Sequence, residues 1–281
     1  MQLQEAIEME NQKKGLRYPV LMVHGMGFRD TKLINYWGRI PAELKKSGCD
    51  IYYGYQDSNA SVEVNARHIS ERIDRILSET GAEKVNIIAH SKGGLDSRYA
   101  ISTLGMSEKV ASLTTMSTPH NGSETMDIIL RLPDFLIRFA GFLTDCWFRL
   151  LGDKNPSSYK AFHTFSTRSA AQFNRNNPDA ENVFYQSYAF AMKSPLSDIF
   201  MSVPSLVVGL VEGENDGLLT PKSAQWTNFR GVFKGTGRRG ISHCDEVDMR
   251  RSRLSAVTGD GVSDIVDVYK NAVDNLREMG L

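Results

Sequence analysis

The sequence has few cysteines, no excess of either charge and no long uninterrupted apolar stretch. Its three cysteines, Cys49, Cys146 and Cys244, are odd in number and far apart, so they predict neither a disulfide framework nor a metal or redox motif. Lys+Arg and Asp+Glu number 33 each, which leaves no net charge to attract nucleic acid over a distance. We therefore expect no nucleic-acid partner and no transmembrane segment.

The amino-terminal segment is polar and offers no leader signal. Residues 1–17 contain no apolar core of the kind found in secretory signals, which predicts a cytoplasmic chain as written, or a secreted one if a leader has been removed. The 281 residues are 41% hydrophobic and 23% charged, an ordinary composition for a globular protein. Without internal repeats or low-complexity linkers, residues 1–281 are expected to form a single α/β domain.

Strand-like and helix-like segments alternate over the first part of the chain. Short apolar runs predict strands at 18–23, 50–53, 85–89 and 110–116, and longer periodic stretches predict helices at 36–46, 61–78 and 93–104. Such alternation favours βαβ units, and hence a mostly parallel sheet covered by helices on both faces. Reactive groups in such sheets collect beyond the carboxyl ends of the strands.

The most informative segment lies where the third predicted strand ends. Its residues Ala-His-Ser-Lys-Gly, from Ala89 to Gly93, match the nucleophile-elbow pattern G-x-S-x-G with alanine in place of the first glycine. Small flanking residues are needed because a strand and a helix meet closely around the serine. Ser91 is thus a candidate nucleophile, although an unreactive serine at a helix N-cap gives a similar pattern.

A nucleophilic serine needs a base and an acid, and chain order restricts both. In the Ser–acid–His order, His243 is the histidine with enough preceding chain to leave room for an acid. Asp216, before a glycine in an acidic turn, fits the end of a strand and is the favoured acid, with Glu212 and Glu214 as alternatives. An ordinary Asn-Asp-Gly turn is the competing interpretation.

The oxyanion formed during attack requires fixed backbone N–H donors. The amide of Lys92, directly after the serine, is one candidate, and the amide of Met26, between Gly25 and Gly27, is the other. No catalytic role suggests itself for the Lys92 side chain, which is expected to face solvent.

A second unusual feature is the predicted helix from Pro133 to Leu151. Its four charged residues fall within an arc of about 60° and almost everything else on it is apolar or aromatic. One interpretation is a helix buried in the core with a single wet edge. The other, which we favour, is a mobile lid that covers the site and presents its apolar face to lipid.

Five blocks in one order together resemble the bacterial true lipases, the triacylglycerol lipases of the α/β-hydrolase fold. The blocks span residues 18–27, 89–94, 117–123, 215–218 and 243–247. The resemblance implies an α/β-hydrolase fold with a helical lid insertion at about 124–176, no organic cofactor, and hydrolysis of long-chain esters through an acyl-enzyme on Ser91. It also implies a structural calcium ion bracing the histidine loop, with Asp245 and Asp198 as its carboxylate ligands.

Two other functions fit the same residues. A soluble carboxylesterase for short acyl chains would keep the Pro133–Leu151 helix fixed in its core. A non-enzymatic protein that binds lipid surfaces would keep the fold without turnover, because a fold alone does not determine a reaction. For the favoured lipase, the expected partner is a lipid or ester substrate at a lipid–water interface.

Overall fold

The computed structural model describes residues 15–27, 29–30, 35–257 and 259–281. Most of the polar segment 1–17, which bears on a leader sequence, lies outside the described residues. The three cysteines are free thiols, as their spacing predicts.

A six-stranded, fully parallel sheet forms the centre of the described chain. Its strands are β1 (Val20–Val23), β2 (Ile51–Tyr53), β3 (Val85–His90), β4 (Val110–Met116), β5 (Phe184–Phe190) and β6 (Phe229–Phe233). They lie side by side in the order β2-β1-β3-β4-β5-β6. The four strands expected from the sequence are confirmed to within two residues at each end, and β5 and β6 extend the sheet beyond them.

The helices connect the strands and cover the sheet. They are α1 (Ile40–Lys46), α2 (Val62–Thr80), α3 (Lys92–Ser102), α4 (Glu124–Ile129), α5 (Asp134–Leu150), α6 (Ser158–Thr164), α7 (Thr167–Asn176), α8 (Ser202–Val211), α9 (Pro221–Ala224) and α10 (Ile265–Glu278). Helix α2 ends at Gly81, which adopts the left-handed conformation at φ 71° that glycine accommodates readily. Helix α1 begins four residues later than predicted, because residues 36–39 form turns.

Alternate residues of the central strands belong to two different apolar cores. Val20 and Met22 of β1 pack with α1 and α10, whereas Leu21 and Val23 pack with α2 and α3 on the opposite face. Because side chains of a strand point alternately to the two faces, a strand that is apolar throughout must be buried on both. The sheet is therefore covered by helices on both faces, as predicted.

Four helices, α4 to α7, occupy the connection between β4 and β5, and we call residues 124–176 the helical insertion. A second excursion, containing α8, separates β5 from the acidic turn. Asp216 therefore does not lie at the end of a strand, and that detail of the prediction is wrong. The turn nevertheless returns to the sheet, since the Met192 N–H, two residues beyond β5, donates to the Asn215 carbonyl at 2.9 Å.

Candidate active site

Ser91 lies in a strained turn between β3 and α3. Its backbone adopts φ 53° and ψ −132°, a conformation that L-residues rarely occupy and that costs about 1–3 kcal/mol. The turn is held by neighbouring groups: the Ser91 N–H donates to the Met116 carbonyl at 2.9 Å, and the Thr118 hydroxyl donates to the Ser91 carbonyl at 2.8 Å. This is the geometry expected of a nucleophile elbow.

Two glycines allow other backbone segments to press against this turn. A Cβ on Gly25 would lie 2.7 Å from the Ser91 Cβ, and one on Gly93 would lie 2.5 Å from the His24 carbonyl oxygen. Both distances are shorter than real carbon contacts, so any larger residue would force the segments apart. The loop after β1 and the turn carrying Ser91 are therefore one closely packed unit.

His243 and Asp216 form a hydrogen-bonded pair although 26 residues lie between them. The His243 Nδ1 lies 2.9 Å from the Asp216 Oδ2, and the His243 N–H donates to the Asp216 carbonyl at 2.8 Å. The other carboxylate oxygen of Asp216 accepts from the N–H groups of Leu218 and Leu219, both at 2.8 Å. Burial favours a raised pKa for Asp216, but its contacts with His243 outweigh this and bring the pKa to about 2.

This pair lies beside the nucleophile turn. The His243 ring packs against the ring of His90, the residue before Ser91, with centroids 4.5 Å apart. Since Nδ1 is engaged by Asp216, Nε2 is the ring nitrogen available to a substrate or to a hydroxyl. Within the described residues, the Ser91 hydroxyl forms no hydrogen bond to the His243 ring. The structure thus joins the predicted acid and base directly. It brings the serine near them but shows no hydrogen bond between the Ser91 hydroxyl and the His243 ring.

The two alternative acids lie in other interactions. Glu212 accepts hydrogen bonds from the Ser123 hydroxyl at 2.6 Å and from the Thr125 N–H at 2.8 Å, which connects the end of α8 to the start of α4. Glu214 forms an exposed ion pair with Lys234 at 2.5 Å. Neither glutamate contacts His243 among the described residues, so Asp216 is the acid that the geometry supports.

Sequence reasoning missed a buried network behind the His243–Asp216 pair. The Gly25 N–H donates to the Tyr36 hydroxyl at 3.1 Å, and that hydroxyl lies 2.7 Å from the His90 Nδ1. The His90 Nε2 lies 3.0 Å from the Glu246 Oε2, and the Ser117 hydroxyl donates to the Glu246 Oε1 at 3.0 Å. The network thus connects the loop after β1 to the histidine loop.

Glu246 ends this network in a fully buried position. Burial raises its pKa well above the usual range, and the neighbouring Asp216 carboxylate raises it further. Burial likewise lowers the pKa of His90 well below its usual value and leaves that ring neutral. The Glu246 Oε1 also lies 3.8 Å from the His243 Nδ1, which makes it a second carboxyl group within reach of the base.

The Lys92 side chain does not face solvent, and that expectation is wrong. It is 1% exposed, and its Nζ lies 2.6 Å and 2.9 Å from the two carboxylate oxygens of Asp96, one helical turn later. The i, i+4 spacing of Lys92 and Asp96 was the sequence signal for this pair. The Lys92 N–H, at the first position of α3, has no acceptor within the helix, as a candidate oxyanion donor requires.

Asp198 and Asp245, the predicted calcium ligands, do lie together. The Ser242 hydroxyl donates to the Asp198 Oδ2 at 2.6 Å, and the Ser242 N–H donates to the Asp245 Oδ2 at 3.2 Å. However, the Arg250 guanidinium lies 2.7 Å from the Asp245 Oδ1 and 3.7 Å from the Asp198 Oδ2. A calcium ion needs six to eight oxygen ligands, and a guanidinium among them would repel it, so these residues do not fit the ion.

The helical insertion exposes its apolar residues. Of α5, only Ile137, Gly141 and Phe148 are buried. Its exposed apolar side chains are Phe135, Leu136, Phe139, Phe142, Leu143, Trp147 and Leu150. Helix α8 likewise exposes Val203, Leu206, Val207, Leu210 and Val211. The α5 helix is therefore not buried in the core, and that interpretation of the sequence is wrong.

Polar residues of α5 contact the next helix of the insertion, α6. Asp134 pairs with Arg138 at 2.5 Å and accepts from the Tyr159 hydroxyl at 2.7 Å, while Asp145 accepts from the Ser158 N–H at 2.7 Å. Tyr159 and Ser158 both belong to α6. Asp134 and Arg138 are themselves more than half exposed, so α5 differs from a typical surface helix in the large number of apolar side chains that face solvent beside them.

The carboxyl end of α5 is fixed by buried aspartates. Asp153 accepts from the N–H groups of Ser58 at 3.0 Å and Asn59 at 2.8 Å, and Asp57 accepts from the N–H groups of Lys154 at 3.0 Å and Asn155 at 2.7 Å. The amino end, by contrast, is held by the exposed contacts of Asp134. Within the described part of the chain, no helix is long and apolar enough to cross a membrane.

Known proteins resemble this chain over most of its length. A triacylglycerol lipase of Pseudarthrobacter phenanthrenivorans is 33% identical over 178 residues, which cover 58% of this chain and 55% of the relative. Triacylglycerol lipase 2 of Saccharomyces cerevisiae is 28% identical over 263 residues, covering 88% of this chain and 74% of the relative. The chain thus spans about half the length of the first of these relatives.

Solved structures share the fold. The mature form of a Bacillus licheniformis lipase superimposes with a TM-score of 0.65 at 20% identity, covering 94% of this chain and 93% of that one. The similarity to triacylglycerol lipases and to the α/β-hydrolase fold is confirmed. A family profile described as palmitoyl protein thioesterase matches residues 19–249, so the chain belongs to that family.

Proposed function

We propose that this protein is a serine hydrolase that cleaves carboxylic esters of fatty acids, of the triacylglycerol type, through an acyl-enzyme. The observation that carries the proposal is the His243–Asp216 pair, at 2.9 Å, beside a serine in a strained strand-to-helix turn. A carboxylate on Nδ1 holds the imidazole in the tautomer that leaves Nε2 free to accept a proton. A serine with only a structural role would not require so strained a turn next to this pair.

In the proposed reaction, the Ser91 hydroxyl attacks the acyl carbon while the His243 Nε2 takes its proton. The N–H groups of Met26 and Lys92 stabilise the oxyanion, and His243 then protonates the departing alcohol. Water then attacks the acyl-enzyme while the His243 Nε2 takes its proton. His243 returns the proton to the Ser91 oxygen, and the fatty acid is released. The close packing of Gly25 against Ser91 keeps the Met26 loop next to the nucleophile throughout.

The exposed apolar side chains of α5 support a substrate presented at a lipid surface. Phe139 and Trp147, each 60% exposed, and Phe135, 68% exposed, project from one helix of the insertion. Fully burying such a side chain in an apolar phase is worth about 1.5–3 kcal/mol. We therefore propose that the insertion is a lid within a single catalytic domain and that its apolar arc docks on the lipid–water interface.

A second candidate function follows from the family relationship. The matching profile is described as palmitoyl protein thioesterase, and a thioester carbonyl can be attacked by the same serine and histidine. An acyl thioester is therefore an alternative substrate. A soluble carboxylesterase for short acyl chains remains the other alternative, although the exposed apolar arc of α5 favours long chains.

The test compares the wild-type protein with Ser91→Ala and with the matched control Ser102→Ala, on the same helix. Substrates are p-nitrophenyl butyrate, emulsified triolein and a palmitoyl thioester. We expect Ser91→Ala to lose about 10⁴-fold or more in kcat on every substrate, while Ser102→Ala keeps the wild-type rate. Full activity of Ser91→Ala would refute the mechanism. Vesicle binding by the wild type without turnover of any substrate would instead identify a non-enzymatic lipid binder.

A further inference from the structure

The loop that carries His243 is anchored through Ser242. The Ser242 hydroxyl donates to the Asp198 Oδ2 at 2.6 Å and accepts from the Asp245 N–H at 3.2 Å, while the Ser242 N–H donates to the Asp245 Oδ2 at 3.2 Å. The residue before the base is therefore held between two aspartates that are 5% and 3% exposed. Two buried carboxylates joined through one serine repel each other, and a cation beside them relieves that repulsion.

Arg250 supplies that cation. Its Nε lies 2.7 Å from the Asp245 Oδ1 and its Nη2 lies 3.2 Å from the Asp245 Oδ2, so the guanidinium meets this carboxylate with two nitrogens. The same Nη2 donates to the Ser197 carbonyl at 3.3 Å and lies 3.7 Å from the Asp198 Oδ2. A planar guanidinium suits such a set of oxygens because its donors diverge in one plane.

The charge balance leaves no role for a divalent ion here. Arg239 also donates to the Ser197 carbonyl, through its Nε at 2.7 Å. The two carboxylates thus face the Arg250 guanidinium, with Arg239 on the neighbouring carbonyl, and three of the four carboxylate oxygens already accept N–H or O–H donors. The fourth, the Asp245 Oδ1, accepts no hydrogen bond but lies 2.7 Å from the Arg250 Nε. An ion of charge +2 could enter only if Arg250 left.

We propose that the Arg250 guanidinium does the work of a structural metal ion, holding Ser242 and hence His243 in place without any divalent cation. Arg250 is in this sense a positioning residue that acts through the loop. The proposal rests on the proposed function only for its activity readout, since its stability readout needs no substrate.

The experiment measures the melting temperature, kcat and KM of the full chain with EGTA or with millimolar calcium chloride. For the wild type we expect the same melting temperature and the same kcat on p-nitrophenyl butyrate in both solutions. A melting temperature that rises by several degrees with calcium, or a kcat that EGTA abolishes, would overturn the proposal. Because the melting temperature is measured without substrate, an inactive protein would refute the proposed function and still test this inference.

Variants separate positioning from general stability. Arg250→Met should lower kcat about tenfold or more with little change in KM, because the base is displaced while the substrate surface is intact. Arg250→Lys, which restores the charge, should recover part of kcat. Calcium should raise the melting temperature of Arg250→Met, whose two carboxylates lack their cation. The control Arg239→Met, which touches the carbonyl but neither carboxylate, should change kcat less. Wild-type kcat and melting temperature in Arg250→Met would refute the proposal.

Discussion

The edge of the sheet around Ser91 and the helical insertion above it place polar and apolar groups in opposite ways. Around Ser91, ionisable side chains such as His90, Lys92 and Glu246 are buried and each has a partner. On α5, aromatic side chains such as Phe139 and Trp147 are instead exposed to solvent. Internal partners account for these buried groups of the first region, whereas the described residues leave the aromatic side chains of the second uncovered.

The largest expected effect concerns the acid of the site. Asp216→Asn should lower kcat on p-nitrophenyl butyrate by about 10⁴-fold, because an amide facing Nδ1 favours the wrong imidazole tautomer. The variant should still fold, since asparagine keeps the size of the side chain.

Glu214→Gln is the matched control for that variant. Its carboxylate belongs to the same acidic turn but pairs with the exposed Lys234. It should keep the wild-type kcat. An equal loss in both variants would mean that the turn, and not the Asp216–His243 contact, is what matters.

The next effect compares two ion pairs of the same length. The Lys92–Asp96 and Lys109–Asp74 pairs both measure 2.6 Å, but the first is buried and the second is about half exposed. Lys92→Met should lower the free energy of unfolding by about 3–5 kcal/mol, since it leaves a buried carboxylate unpaired. Lys109→Met should cost less than about 1 kcal/mol. Urea unfolding measures both, and equal costs would show that the elbow helix does not depend on its buried pair.

The third prediction concerns pH. The pKa of Asp216 is about 2 in the folded protein, below its ordinary value of 3.8. Its carboxylate should therefore stabilise the fold by about 2.5 kcal/mol above pH 5, and this contribution should be lost as the pH falls through the folded pKa. The stability difference between wild type and Asp216→Asn should accordingly be about half as large at pH 3 as at pH 5. A difference that grew between pH 5 and pH 3 would contradict the sign.

The smallest effect should be seen on the insertion, and only at an interface. The double variant Phe139→Ser, Trp147→Ser should lose about tenfold or more on emulsified triolein while keeping its rate on monomeric p-nitrophenyl butyrate. Met279→Ser, which also removes an exposed apolar side chain, is the control and should change neither rate. Equal losses on both substrates would point to a structural role for α5 and against a lipid contact.

Patterns within short stretches of sequence predicted the features that depend mainly on neighbouring residues. The strands at the centre of the sheet, the elbow at Ser91 and the chain order of Asp216 and His243 all follow from short-range rules about strands, tight turns and triad order. Even the length of α5 was predictable, because Asp134 and Gly152 mark its two ends.

Contacts between distant residues could not be predicted in the same way. The His90–Glu246 contact joins positions 156 residues apart, and nothing in either neighbourhood indicates the other. The same applies to Arg250, which meets Asp198 only because the excursion containing α8 returns to the sheet. The burial of Lys92 is a different case, because the sequence shows Asp96 at i+4 as a partner for it. The expectation failed because it relied on the general tendency of lysine to be exposed.

The two ends of α5 are anchored by different kinds of contact. A helix of 17 residues is about 25 Å long. Its carboxyl end is tied to Ser58 and Asn59 through the buried Asp153, and its amino end is tied by solvent-exposed groups. If the helix moves as the proposed lid does, Asp153 is the fixed point and the displacement is greatest at Phe135. Residues near Asp153 would then set how easily the helix turns, and those near Phe135 would make the lipid contact.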